Sequence, residues 1–286
     1  MSATKTLRID AHQHYWRYDA RIDDWIDPTG PIARDFVPSD VSADMAAAGI
    51  DAAVAVQARS SEADTAFLLD LARRGDRIAG VVGWLDLAAG DLDERIERVR
   101  RQGPLVGLRH IVQAEPDGFL QRGAIRRGIA TTLAAGLAYD ILVVPRQLRD
   151  VIALLERVGE GRLVLDHGAK PPIAAGEWQP WADELAAAAQ FPQLVCKVSG
   201  LVTEADHRAW RPAQIERYLD HLLRCFGADR LLFGSDWPVC TLAATYGEVH
   251  ALVADWVATR CPEAADAIFG GNAARTYGLA GTAARP

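Results

Sequence analysis

Short apolar runs rich in Val, Ile and Leu recur along the chain, and each is followed by a stretch with helical spacing. The first lies in "TLRIDAHQH". It is followed by Ala52–Ala58, Ile78–Leu87, Leu105–Val112, Leu137–Val144, Arg162–Ala169, Leu194–Leu201 and Arg230–Pro238. Between them stand amphipathic segments such as "SEADTAFLLDLARRG" and "IERYLDHLLRCFG". Strict strand-then-helix alternation implies parallel strands joined by crossover helices. Successive strands start mostly about 25–35 residues apart, the length of one βα unit. About eight such units close into a (β/α)8 TIM barrel. The rival, an open doubly wound sheet, normally follows its first strand with a glycine-rich phosphate turn, whereas here the strand runs into "AHQHYW". With no linker and no close repeat, residues 1–286 read as a single α/β barrel domain.

The first connection is the longest. "RYDARIDDWIDPTGPIARDFVPSD" carries turn residues and two aromatics, Trp25 and Phe36, and a loop of that length lies over the mouth of a barrel. Its helix is expected to start at Pro38-Ser39-Asp40.

Barrel chemistry comes from the carboxyl ends of the strands. A buried parallel strand otherwise reads as continuous Val, Ile and Leu, so polar groups there are the informative ones. Strand one offers His12 and His14, and strand two Gln57 and Arg59. Strand three offers Trp84 and Asp86, and strand four Arg109 and His110. Asp166 and His167, then Lys170, follow strand six; Lys197 and Ser199 belong to strand seven; Ser235, Asp236 and Trp237 end strand eight.

Period-two geometry puts His12 and His14 on one face. They could be half of a metal site, a pair of donors aimed at a substrate, or, for His14, a bond to loop backbone. Asp236 reads as a general base or a metal ligand, against a helix cap before Pro238. Arg109 reads as a clamp for a carboxylate or hydroxyl-rich substrate, against a salt bridge to a loop. Trp25, Trp84 and Trp237 could wall a sugar ring or simply pack beneath loops. His207, His221 and His250 read as ordinary, and Tyr139 and Asp140 are placed outside the site.

Composition narrows the partners. A net charge of −7 over 286 residues, with no basic run, excludes a nucleic-acid or anionic-membrane partner. No stretch approaches the ~18 apolar residues of a membrane span, and the N-terminus has no secretory apolar core. The four cysteines share no C-x-x-C spacing and read as reduced thiols of a cytoplasmic protein.

The stretches "IDAHQHYWRYD", "VVGWLDL", "LVGLRHIVQAEPDGFL", "VLDHGAKPPI", "CKVSGLVTEA" and "RLLFGSDWPVC" together resemble the amidohydrolase superfamily. The likeness is strongest to its "amidohydrolase 2" branch and, within that, to sugar-acid lactonases of the L-fucono- and L-rhamnono-lactone type. The resemblance spans nearly the whole chain. It implies a distorted (β/α)8 barrel and hydrolysis of an aldonolactone, a small-molecule substrate.

One departure matters. Metal-dependent members of the superfamily usually carry a strand-five histidine, and here that strand reads "YDILVVPRQ". His12, His14, His167 and Asp236 could still hold one zinc ion. Because lactonases of this branch resemble the metal-free case, no essential cofactor is expected. Asp236 would activate water and pass its proton to the leaving oxygen, while His12, His14 and His167 polarise the carbonyl. Arg109, Gln57, Trp25, Trp84 and Trp237 would hold the substrate. The alternatives are a metal-dependent hydrolase or nonoxidative decarboxylase on the same barrel, and a non-catalytic barrel that only binds a sugar acid.

Overall fold

A computed structural model describes residues 7–75 and 77–279. Its strands are β1 Ile9–Gln13, β2 Ala52–Val56, β3 Ile78–Gly83, β4 Leu105–His110, β5 Ala138–Ile141, β6 Arg162–Leu165, β7 Leu194–Val198 and β8 Leu231–Phe233. They form one parallel eight-stranded sheet in the order β1 to β8. The sheet closes through the chain just beyond β8, where Asp236 N donates to His12 O at 2.9 Å and His14 N to Trp237 O at 2.7 Å. The barrel expected from the alternation is therefore the observed one. Every strand begins inside its apolar run and stops short of the run's end. The β3 run, for example, continues past Gly83 to Leu85 and Leu87, which are buried under the turns rather than paired in the sheet.

Helices α1 Pro38–Ala47, α2 Glu62–Arg73, α3 Leu92–Arg100, α4 Gly123–Ala134, α5 Leu148–Leu155, α6 Trp181–Ala188, α7 Pro212–Phe226 and α8 Tyr246–Arg260 follow the strands in turn. The first begins at the expected proline, whose missing N–H would have no helical partner there. Ser61 caps α2 by accepting from Asp64 N, and Thr245 and Glu248 form a reciprocal capping box on α8. Most of the core fills the space between strands and helices. A second, smaller core fills the lower barrel, where Ile9, Ala11, Val54, Val56, Val82, Ala138, Val164 and Leu232 converge.

The terminal helix α9, Asn272–Tyr277, plugs that lower end with Ala273, Tyr277 and the following Leu279. Each large side chain buried there contributes about 1.5–3 kcal/mol. The approach of this segment to β1 depends on Gly270, where a Cβ would stand 1.9 Å from Leu7 O. Among the described residues no helix is long and apolar enough to cross a membrane.

Candidate active site

Above the apolar plug the barrel interior turns polar. Lys197 from β7, Asp140 from β5, Asp166 after β6, Arg109 from β4 and His12 from β1 form a buried layer. Lys197 Nζ donates to Asp140 Oδ2 at 2.5 Å and lies 3.0 Å from Asp166 Oδ1. It also donates to His12 Nδ1 at 3.0 Å. Arg109 Nη1 meets Asp166 Oδ2 at 3.0 Å, and its Nη2 donates to Gln57 O. Tyr277 of the plug donates to Asp140. Asp140, read as outside the site, does not border the cavity and lies in the layer directly beneath. Its partners come from elements far away in sequence and meet it only because the barrel closes. Tyr139, on the opposite face of β5, packs in the outer core.

His12 reaches this layer through a slip in β1. The register with β2 shifts between Asp10 and Gln13, a bulge of the kind that re-aims side chains. Across it His12 follows Ala11 into the barrel, while Gln13 turns the other way to donate to Asp10 at 2.7 Å. Asp10 in turn accepts from Ser235 N at 2.9 Å and ties β1 to the β8 turn.

Resting on this layer is a cavity of about 570 Å³ at the carboxyl ends of the strands. His14, His167 and Asp236 line its floor, and His12, buried just beneath, brings Nε2 to 3.1 Å from His14 Nε2. Asp236 Oδ1 is 3.4 Å from His14 Nε2, 3.7 Å from His12 Nε2 and 4.0 Å from His167 Nε2. The turns that present these groups are held in the left-handed region: φ is +60° at Asp236 and +53° at both His167 and Lys170. Non-glycine residues there cost roughly 1–2 kcal/mol each and cluster where a side chain must be aimed. Gly200 (φ +63°) leaves room for this, since a Cβ would come within 2.6 Å of His167 Nδ1.

Burial, reinforced by the Lys197 ammonium, holds His12 well below the usual imidazole range. Burial likewise lowers His167 to about 4. For Asp236 burial alone would raise the carboxyl, but His167, His14 and His12 outweigh it and hold it below the usual carboxylate range. Near neutrality Asp236 is therefore an anion beside neutral His12 and His167. Burial pushes Asp140 up to about 6 against the pull of Lys197.

The ring protons follow from the partners. Val56 O can only accept, so His14 Nδ1, 2.8 Å away, carries a proton. His12 sits between two groups that can only donate, Lys197 Nζ 3.0 Å from its Nδ1 and Arg109 Nη1 3.4 Å from its Nε2. His167 Nδ1 meets Ser199 Oγ at 2.8 Å.

The rim is built from loops. Residues 14–37 fold back on themselves through paired Trp16–Phe36 backbone bonds of 3.0 and 2.9 Å, and Arg59 pins them by gripping Asp23 with two bonds of 2.6 Å. This sets Trp25 at the cavity edge, 49% exposed and edge-on to Trp16. Opposite, Lys170 pairs with Glu204 at 2.7 Å, and His110 Nε2 donates to Glu115 at 2.9 Å. Both pairs border the cavity.

Of the residues expected to hold substrate, Arg109 and Trp25 border the cavity. Gln57 instead donates to Arg109 O behind the wall, Trp84 donates to His110 Nδ1, and Trp237 is buried against Phe36. His207, read as ordinary, lines the mouth together with Glu204. The only sequence signal for either was their position just after strand seven.

His12, His167 and Asp236 offer ligand atoms that all lie within 4.8 Å of one another, a donor set of the type zinc takes. A ligating histidine binds through a bare nitrogen and donates from the other. His14 is set up that way. His12 turns Nε2 to the cluster and has the acceptor Asp166 Oδ1 3.4 Å from its Nδ1, so the four groups could hold one zinc ion.

A model of the amidohydrolase family matches residues 9–279. An L-fucono-1,5-lactonase of Burkholderia multivorans (strain ATCC 17616 / 249) is 46% identical over 96% of this chain and 96% of its own length. An L-fucono-1,5-lactonase of Burkholderia ambifaria is 38% identical over 95% of this chain and 96% of its own length. Among solved structures, a Burkholderia multivorans amidohydrolase with bound zinc superposes with a TM-score of 0.91 at 46% identity, covering 96% of this chain and 99% of that one.

Proposed function

The chain belongs to the amidohydrolase family, and from that premise we propose that it is a lactonase that opens a sugar-acid lactone of the L-fucono-1,5-lactone type to the aldonic acid. The observation that carries the reading is the floor of the cavity: an ionised carboxylate, Asp236, within 4.0 Å of three imidazole nitrogens.

A lactone is a cyclic ester, so its opening needs an activated water, a polarised carbonyl and a proton for the departing ring oxygen. Asp236 takes a proton from water as the water oxygen adds to the carbonyl carbon. The carbonyl oxygen gathers negative charge and is met by donors that border the cavity, the Arg109 guanidinium and the His167 imidazole. Collapse breaks the bond to the ring oxygen, which leaves as a hydroxyl after taking the proton back from Asp236. The new carboxylic acid then ionises and releases one proton to solvent. Were zinc bound, His12, His14, His167 and Asp236 would hold it and it would polarise the carbonyl; the steps above use the chain's own groups.

The rim suits a polyol. Lys170–Glu204 and His110–Glu115 offer donors and acceptors toward hydroxyls, and Trp25 offers a flat apolar face to a ring. The test is proton release, followed with a pH indicator, over a panel of L-fucono-, L-rhamnono- and other aldonolactones together with simple amides. Turnover of one or more sugar lactones, lost in Asp236→Asn, is expected. Amide hydrolysis with no lactone turnover would refute the reading.

A further inference from the structure

Glu204 and Glu115 both stand at the rim, but they are held differently. Glu204 is paired with the Lys170 ammonium at 2.7 Å. Glu115 meets no arginine or lysine among the described residues, and its carboxylate takes one bond, from His110 Nε2 to Oε1 at 2.9 Å. We propose that Glu115 is a specificity-determining residue whose carboxylate accepts a ring hydroxyl of the substrate, and that Trp84, acting through His110, is the positioning residue that holds it ready. The substrate contact rests on the lactonase reading; the relay behind it does not.

The relay runs from Trp84 Nε1 to His110 Nδ1 at 3.2 Å and from His110 Nε2 to Glu115 Oε1 at 2.9 Å. Its direction is set by its ends. An indole N–H can only donate, so His110 Nδ1 accepts, and a carboxylate can only accept, so His110 Nε2 carries the proton. No other hydrogen-bond partner meets either nitrogen among the described residues. The imidazole is also clamped in its plane, stacked on Phe119 with centroids 4.7 Å apart and planes at 18°. Both ends of the relay are anchored. The Thr65 hydroxyl bonds the Trp84 backbone, accepting from N at 2.8 Å and donating to O at 2.9 Å. Glu115 N donates to Val112 O at 2.8 Å, and Glu115 O accepts from Gln147 Nε2 at 3.1 Å.

The second carboxylate oxygen of Glu115 is left without a protein partner among the described residues, and Glu115 and His110 both border the cavity. A carboxylate with no cation beside it is a strong acceptor and a poor neighbour for another anion, so the group it suits is a neutral hydroxyl. A polyol lactone carries several. The Trp84 and His110 donors spend themselves on one oxygen and hold the other in a fixed place, so the contact selects a hydroxyl by position.

The experiment is a set of kcat/KM cycles: wild type, Glu115→Ala and Trp84→Phe, each against L-fucono-1,5-lactone and its mono-deoxy analogues. Loss of one particular hydroxyl should cost wild type about 10- to 100-fold, the scale of a hydrogen bond to a charged group. In Glu115→Ala the parent lactone should lose about as much, and removal of that same hydroxyl should then cost less than about threefold. Trp84→Phe keeps the aromatic packing and removes the N–H, and it should show the same pattern at about three- to tenfold. 15N NMR of histidine-labelled protein, with His110 assigned by the signals lost in His110→Gln, should show that ring protonated at Nε2 and bare at Nδ1. Trp84→Phe should shift the Nδ1 signal, which a packing role alone would leave in place. Penalties that add at every hydroxyl in Glu115→Ala, or a wild-type His110 protonated at Nδ1, would overturn the proposal. If wild type opens no lactone, the lactonase reading fails alone. Titration with L-fucose, which carries the same ring hydroxyls, then decides the contact: affinity lower by about tenfold or more in Glu115→Ala supports it, and unchanged affinity overturns it.

Discussion

The floor and the rim of the cavity are built on different terms. Just beneath the floor, His12, Asp140, Asp166 and Lys197 are fully buried and bonded to one another from four strand ends. In so dry a place each partner is worth much and a missing one costs much, so the layer admits few arrangements. On the rim, Trp25 is half exposed, and the Lys170–Glu204 pair is partly open to solvent, where ion pairs are weak. The rim residues come from loops, which tolerate change. On the proposed lactonase reading the difference separates two tasks: the floor sets what reaction occurs, and the rim sets which polyol it occurs on.

The sharpest break should come at the floor's base. Asp236→Asn keeps the shape of the side chain but cannot take a proton, so kcat should fall by roughly 10³-fold or more while the thermal melt is nearly unchanged. Near wild-type turnover in steady-state assays would remove Asp236 from the mechanism. His12→Asn and His14→Asn should each lower kcat by about 10²-fold, because each removes an imidazole packed against Asp236 and a small misplacement of the base costs about that much, with no recovery on adding zinc.

Next comes the acid limb of stability. His167 titrates near 4 in the fold against an ordinary 6.5, so the unfolded chain binds the extra proton between those values. The contribution is fully present above about 6.5 and is lost as pH falls through that window toward 4, about 3 kcal/mol in all. Urea melts across this range should show the decline, and His167→Gln should flatten it. The smallest effects belong to the rim. Trp25→Ala and Lys170→Met should raise KM several-fold, with kcat within about twofold, because they touch the polyol in ground and transition state alike. A kcat collapse in either would erase the distinction between floor and rim.

The sequence made the barrel legible because buried parallel strands are written as unbroken apolar runs, and eight of them recur with helices between. Their ends were less legible, since Leu85 and Leu87 continue the β3 run while packing under a turn. The strand-end rule drew attention to His12, His14, His167 and Asp236, which the fold brings together, the last three lining the cavity and His12 just beneath them. It missed the layer beneath. Asp140 sits within an apolar run, and its partners Lys197 and Tyr277 lie 57 and 137 residues away, so only barrel closure reveals the group. Aromatic character was a poor guide to the wall: Trp25 borders the cavity, but Trp237 packs beneath the loop against Phe36.

The most direct test is turnover of L-fucono-1,5-lactone by protein exhaustively treated with chelator and then assayed with and without one equivalent of zinc. With Asp236 as base and Arg109 and His167 as donors, full activity should survive chelation and zinc should add nothing. Activity that vanishes with chelator and returns with one equivalent of zinc would contradict this, making the histidines metal ligands and Asp236 a ligand that doubles as base.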